Sequence, residues 1–110
     1  MILLRVADHT DAPGAEFIRM GPHSGEWFWN TVLEPCIKKA IETTDSIVID
    51  LDGVIGYPFS WLRGAFSPIG KIKDKEEWCS VALRIDFKTE TFEDAVDDIR
   101  YYMCEMNYQS

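Results

Sequence analysis

The segment from Ser46 to Gly53, which reads Ser-Ile-Val-Ile-Asp-Leu-Asp-Gly, constrains the fold more than any other part of the sequence. Its residues are β-branched and apolar until the segment reaches Asp50 and Asp52. A strand that is apolar on both faces is typical of the centre of a mostly parallel sheet that is covered by helices. The segment therefore predicts an α/β domain with this strand in its middle and two carboxylates at the strand's end.

Hydrophobic periodicity places the other elements around this strand. Strands are predicted at residues 2–7, 16–20 and 81–87, and the first two are expected to form a hairpin across the turn-rich residues 8–14. Helices are predicted at residues 26–41, from Ser60 to about Phe66, and from Thr91 onward. The order ββαβαβα predicts a mixed four-stranded sheet with helices packed on it.

Local signals refine the helix ends. Ser24 and Ser60 are predicted N-caps, and Thr91 with Asp94 resembles part of a capping box. Pro35 predicts a kink or break between about Glu34 and Ile37, because proline lacks an amide donor. The last helix is predicted to have an inward apolar stripe, formed by Phe92, Ala95, Val96, Ile99, Met103 and Met106. The last strand is preceded by a charged connection, residues 71–77.

Length, charge and cysteine content narrow the class of protein. The 110 residues suit a single domain over residues 1–110, and a 46% hydrophobic content is that of a globular protein. A net charge of -8 argues against direct nucleic-acid binding and favours a basic protein partner. Neither a signal peptide nor a membrane span is visible, so we expect a cytoplasmic protein without a membrane partner.

The three cysteines Cys36, Cys79 and Cys104 are widely spaced and form no Cys-x-x-Cys pair. This pattern argues against a disulfide framework and a zinc site, and buried free thiols are expected. The sequence also contains no glycine-rich phosphate loop and no nucleophile–base pair. We therefore expect no cofactor, no metal and no catalytic residues.

Residues 47–54 match the opening motif of the haloacid-dehalogenase-like phosphatases, which gives an alternative function. In that family the first aspartate attacks phosphorus and the second is the acid/base, while magnesium neutralises the phosphate. The match would make Asp50 the nucleophile and Asp52 the acid/base. Only about 60 residues follow Asp50, and the adjacent pair Asp97–Asp98 lies in a helical pattern rather than at a strand end, so this alternative ranks second.

A second similarity covers about residues 21–70. The blocks at 23–28 (His-Ser-Gly-Glu-Trp-Phe), 32–35 (Val-Leu-Glu-Pro), 47–53 and 56–66 (Gly-Tyr-Pro-Phe-Ser-Trp-Leu-Arg-Gly-Ala-Phe) resemble successive blocks of the STAS-like domain family. STAS domains are small α/β regulatory modules that bind proteins, and many are switched by phosphorylation of a serine at a helix start. The chain departs from the family pattern at Phe59, at Arg63–Gly64 and at Ser67–Pro68, so these differences fall on the helix that would carry the switch.

The resemblance implies a regulatory protein-binding module that is not an enzyme. Its partner would be a kinase-like ATPase or a basic regulatory protein, and Ser60 is the position that matches the phosphorylated serine. The expected docking surface is the loop and helix from residue 57 to 66, with Tyr57, Phe59, Ser60, Trp61 and Arg63 as its partner-binding residues. A third function, an acidic inhibitor or nucleic-acid mimic acting through the last helix, rests on charge alone.

Overall fold

Three parallel strands form the sheet in a computed structural model that describes residues 1–71 and 84–103 of this small, single-domain α/β protein. The strands are β1 (Ile2–Arg5), β2 (Ile47–Asp50) and β3 (Ile85–Lys88), in the order β1-β2-β3. Leu4 lies opposite Ile49, and Ile49 lies opposite Phe87. The prediction that the segment containing Asp50 is a central parallel strand is confirmed.

Within residues 1–71 and 84–103, four α-helices accompany the sheet, and short 3-10 turns connect several of the elements. The helices are α1 (Gly25–Phe28), α2 (Glu34–Thr43), α3 (Phe59–Phe66) and α4 (Glu93–Met103), and the 3-10 turns are Val6–Asp8, Ile18–Met20 and Ser67–Lys71. Ser24 caps α1 as predicted, since its hydroxyl accepts a hydrogen bond from the Trp27 amide at 3.0 Å. None of these helices combines the length and the apolar character that crossing a membrane requires.

The predicted strand at residues 16–20, and with it the hairpin, is wrong. Residues 18–20 form a 3-10 turn, and β1 pairs instead with β2. The carbonyl groups of Ala15 and Glu16 accept hydrogen bonds from the amides of Gly25 and Glu26, at 2.8 and 2.9 Å. This segment therefore satisfies free amides in the first turn of α1, and those carbonyls are not available for a hairpin.

Pro35 does not kink or break the helix between Glu34 and Ile37, where a kink or break was predicted. The helical path continues from α1 into α2 through a π-helical turn, Trp29–Leu33, in which the Glu34 amide donates to the Trp29 carbonyl. Pro35 follows at the start of α2, where a missing amide costs little. The helical hydrogen-bond pattern is therefore irregular just before the proline, where the π-helical turn replaces a regular α-helical turn.

Two predicted caps are also wrong. Pro58 occupies the N-cap position of α3, so Ser60 is the second residue of the helix and not its cap. Helix α4 begins at Glu93 and not at Thr91, and the Phe92 amide donates to the Thr89 hydroxyl at 2.8 Å. In both cases the helix starts within two residues of the predicted position.

The hydrophobic core lies between the helices and one face of the sheet. Ile47 and Ile49 of β2 are fully buried there, together with aromatic side chains from the helices such as Phe28, Trp61 and Phe66. Ala95, Ile99 and Met103 of α4 belong to the same core, as the predicted stripe requires. Leu3 points away from this core and is 48% exposed. The described helices thus pack mainly against a single face of the sheet.

Several predictions concern residues outside those that the structure describes. Most of the charged connection (72–77) and the first part of the predicted last strand (81–83) lie there. The predictions for Cys79, Cys104 and Met106 lie there as well. Cys36 is described, and it is a free, partly buried cysteine.

Candidate functional site

The two aspartates of β2 and the following loop lie at the carboxyl edge of the sheet, where α/β domains commonly bind ligands. Asp50 is the last residue of β2, and its Oδ1 accepts a hydrogen bond from the Asp52 amide at 3.0 Å. This contact closes a turn of the kind in which an aspartate side chain replaces a backbone acceptor. Gly53 follows with a φ of 90°, a conformation that favours glycine.

Asp52 joins the loop after β2 to the loop after β3. Its carboxylate accepts hydrogen bonds from the Thr89 hydroxyl at 2.6 Å and from the Glu90 amide at 2.8 Å. These bonds stabilise the charged form, so the pKa of Asp52 is lower than that of an ordinary aspartate. The side chain therefore holds together two loops that follow neighbouring strands.

Asp50 and Asp52 are the two residues that the alternative phosphatase mechanism requires. Asp50 and Asp52 both accept hydrogen bonds from protein groups, and in Asp52 both oxygens do so. Among residues 1–71 and 84–103, no three His, Cys, Asp or Glu side chains are grouped so that they could hold a metal ion. The two aspartates are thus arranged to close turns.

Tyr57 packs beside the loop that follows β2. Its hydroxyl donates to the Leu51 carbonyl at 2.6 Å, and its ring packs edge-on against Phe92 with centroids 4.9 Å apart. Burial raises the pKa of Tyr57, and the nearby carboxylates of Asp52 and Asp50 add to the effect. Tyr57 is therefore a neutral, half-buried residue that connects the loop after β2 to the start of α4.

Helix α3 begins immediately after this loop and places its first residues at the surface. Phe59 is 59% exposed and Ser60 is partly exposed. The Phe59 ring packs edge-on against Tyr102 of α4, with centroids 5.4 Å apart. Phe59 and Ser60 are the two predicted site residues that this helix start presents to solvent.

The expectation that Trp61 contributes to an exposed surface is corrected by the structure. Trp61 is fully buried, and its Nε1 donates a hydrogen bond to the His23 carbonyl at 3.0 Å. Its ring also packs against Phe28, with centroids 5.1 Å apart. The helical period explains this position, because Trp61 shares the inward face of α3 with Ala65.

Arg63 lies at the side of the helix and is partly exposed. Its guanidinium binds the Glu16 carboxylate through two hydrogen bonds, Nη2 to Oε1 at 2.6 Å and Nε to Oε2 at 3.1 Å. This paired geometry fixes the segment before α1 against α3. Of the five predicted partner-binding residues, the structure therefore groups Phe59, Ser60 and Arg63 along one side of α3, with Tyr57 half-buried beside them and Trp61 inside.

Two features of this region were not anticipated from the sequence. His23 adopts a φ of 57°, its carbonyl accepts from Trp61, and its Nδ1 lies 3.0 Å from the Thr10 hydroxyl. Tyr101 and Tyr102 of α4 extend the aromatic surface that begins at Phe59. No local pattern indicates this surface, because Phe59 and Tyr102 lie on different helices and meet only in the folded chain.

The chain matches no protein-family model, and neither a curated protein nor a solved structure is significantly similar to it. No family is therefore shown for this chain, and the resemblance of the blocks within residues 21–70 to the STAS-like family stays a prediction.

Proposed function

We propose that this chain is a cytoplasmic regulatory module of the STAS-like domain family, which acts by binding a partner protein through the start of α3. The observation that carries the proposal is the contrast between two neighbouring groups of residues. Asp50 and Asp52 are engaged in hydrogen bonds within the fold, whereas Phe59 and Ser60, just beyond them, face solvent. The surface available for recognition is therefore aromatic and hydroxyl-bearing.

An exposed aromatic side chain at the carboxyl edge of a sheet suits recognition of another protein. Large aromatic residues provide much of the binding energy at protein interfaces, where they fill pockets of the partner. The rigid sheet and the buried Trp61 hold the beginning of α3 in place. Pre-organisation of this kind lowers the entropic cost of binding.

Phosphorylation of Ser60 would change the same surface directly. A phosphate there would add close to two negative charges near the positive end of the α3 dipole, where the helix tolerates them. Arg63 lies three residues further along α3, close enough in helical spacing to respond to the new charge. A kinase-like ATPase that modifies Ser60 would thereby alter the affinity for a partner without unfolding the domain.

The test uses a partner identified by affinity purification from the native host. Titration calorimetry would compare the native protein with Ser60→Asp and Ser60→Ala, and with Thr31→Asp as a matched control on an exposed residue elsewhere. We expect Ser60→Asp to change the Kd by about tenfold, equivalent to roughly 1.4 kcal/mol, while Thr31→Asp changes it little. Equal affinities for the native protein and Ser60→Asp would refute the switch.

A further inference from the structure

Three aromatic side chains form a continuous row that joins α3 to α4. Phe59 packs on Tyr102 with ring centroids 5.4 Å apart, and Tyr102 packs on Tyr101 with centroids 5.7 Å apart. The middle ring is buried, whereas Phe59 is 59% and Tyr101 is 40% exposed. We call Phe59, Tyr102 and Tyr101 the aromatic row. It presents two exposed rings that are fixed by a buried ring between them.

Carboxylates border this row along α4. Asp97 precedes Tyr101 by four residues and Asp98 precedes Tyr102 by four, so each pair lies on one side of the helix, and Asp94 is one turn further back. In the described part of the chain, no basic nitrogen lies within salt-bridge distance of these three carboxylates. They are therefore available to a charged partner.

The nearest basic side chains on the same elements are engaged elsewhere. Arg100 lies over the Phe87 ring, 5.1 Å from its centroid, and donates to the Ile85 carbonyl of β3 at 3.2 Å. Arg63 is held by Glu16. Neither cation forms an ion pair with the acidic border, so, as far as the described residues go, the surface combines exposed aromatic rings with carboxylates that have no salt-bridge partner.

We propose that the aromatic row and its acidic border receive a segment of the partner protein that is rich in arginine and contains an apolar side chain. Guanidinium groups stack on aromatic faces and pair with carboxylates, so both parts of the surface favour the same occupant. The overall charge of -8 adds long-range attraction for a basic segment and repulsion for nucleic acid. This inference rests on the proposed protein-binding function and specifies the chemistry of its partner.

The experiment uses a defined probe, the fluorescein-labelled peptide Arg-Leu-Arg-Arg-Leu-Arg. The control is a peptide of the same length in which each Arg is replaced by Glu, and it should not bind. Amide shifts in a heteronuclear NMR titration of the labelled protein would locate the binding surface, and fluorescence anisotropy would give the Kd. The double variants Phe59→Ser/Tyr101→Ser and Asp97→Asn/Asp98→Asn test the two parts of the surface. Their matched controls are Ile55→Ser, at a residue that is 85% exposed elsewhere, and Asp8→Asn/Asp11→Asn.

We expect the largest amide shifts at residues 59–63 and 97–102, and a Kd about tenfold weaker for both test variants, with changes below about twofold for both controls. Equal weakening by Asp8→Asn/Asp11→Asn would mean that net charge alone attracts the peptide, and it would overturn the proposal. Absence of binding, or shifts centred elsewhere, would also overturn it. This experiment does not depend on the Ser60 switch. If the peptide bound this surface but Ser60→Asp had no effect on partner affinity, the switch would be refuted and the inference about the partner's chemistry would stand.

Discussion

The carboxylate of Asp52 accepts a hydrogen bond from the hydroxyl of Thr89 at 2.6 Å, and so connects the loop after β2 to a residue 37 positions further along the chain. A second bond, from the Glu90 amide, holds the same carboxylate in place. The loop before α3 and the loop before α4 are thereby fixed relative to each other. Because Phe59 and Tyr101 lie on those two helices, this contact supports the geometry of the proposed binding surface.

Replacement of Asp52 with Asn is expected to destabilise the fold in a pH-dependent way. The pKa of Asp52 is lowered in the folded protein, so its contribution to the free energy of unfolding is present above the ordinary aspartate pKa of about 3.9. That contribution is lost as the pH falls through the lower pKa of the folded state. Urea unfolding at pH 7 should therefore show a lower midpoint for Asp52→Asn than for the native protein.

The same comparison at about pH 3 should show a smaller difference between the two proteins, because the native side chain then begins to lose its charge. Asp86→Asn, at an exposed residue of β3, is the matched control and should leave the midpoint almost unchanged at pH 7. A difference between Asp52→Asn and the native protein that stays constant with pH would contradict this assignment.

Gly25 is expected to tolerate no side chain, because α1 and α3 cross in close contact at this point. A Cβ atom on Gly25 would collide with the Trp61 carbonyl and lie 2.7 Å from the Ala65 amide nitrogen. Both neighbours are backbone atoms of a packed helix, so relief would require the helices to separate. We expect Gly25→Ala to cost at least about 1–3 kcal/mol of unfolding free energy, the usual penalty of overpacking.

Gly56→Ala is the control for this measurement, since a Cβ atom there has no neighbour within 4 Å. Chemical denaturation of both variants would check the prediction. A Gly25→Ala protein that is as stable as Gly56→Ala would show that the helix crossing is looser than the structure indicates.

Truncation of Trp61 and of Phe59 is expected to destabilise the fold to very different extents, although the two residues are only two positions apart. Trp61→Ala removes a fully buried indole and should cost about 3–5 kcal/mol. Phe59→Ala removes a ring that is 59% exposed and should cost no more than about 1 kcal/mol. Guanidinium unfolding would measure both values. Similar losses for the two variants would show that Phe59 belongs to the core and is unavailable to a partner.

No magnesium-dependent hydrolysis of an aryl phosphate is expected from this protein. Both oxygens of Asp52 accept hydrogen bonds from the loop after β3, which suits closing that loop rather than transferring a proton to a leaving group. A colorimetric phosphatase assay with the native protein and with Asp50→Asn would check this. Clear turnover that disappears in Asp50→Asn would favour the phosphatase alternative.

The sequence predicts the central strand and the helical faces well because these depend on local periodicity. Ile47 and Ile49 are buried as the apolar run requires, and Ala95 and Ile99 lie inward as the spacing of α4 requires. The predicted strand at residues 16–20 failed for a non-local reason. The carbonyl groups of Ala15 and Glu16 bind amides of α1, and nothing in the local pattern of those residues indicates a partner ten positions away.

The site could be predicted only in part, for the same kind of reason. The position of Ser60 near the start of α3 follows from local turn signals, but the contact between Asp52 and Thr89 and the packing of Phe59 on Tyr102 depend on how distant elements meet. For Trp61 the prediction from the sequence was wrong. The expected docking surface placed it outside, whereas in the structure it shares the buried face of α3 with Ala65.

The affinity of Phe59→Asp for the purified partner, compared with that of Ile55→Asp, decides whether the start of α3 is the binding surface. Both variants place one negative charge on an exposed apolar residue, so they change the net charge equally. If the partner binds through the start of α3, calorimetry should give a Kd at least about tenfold weaker for Phe59→Asp and nearly native for Ile55→Asp. Native affinity in a folded Phe59→Asp protein would contradict the claim that this helix start is the binding surface.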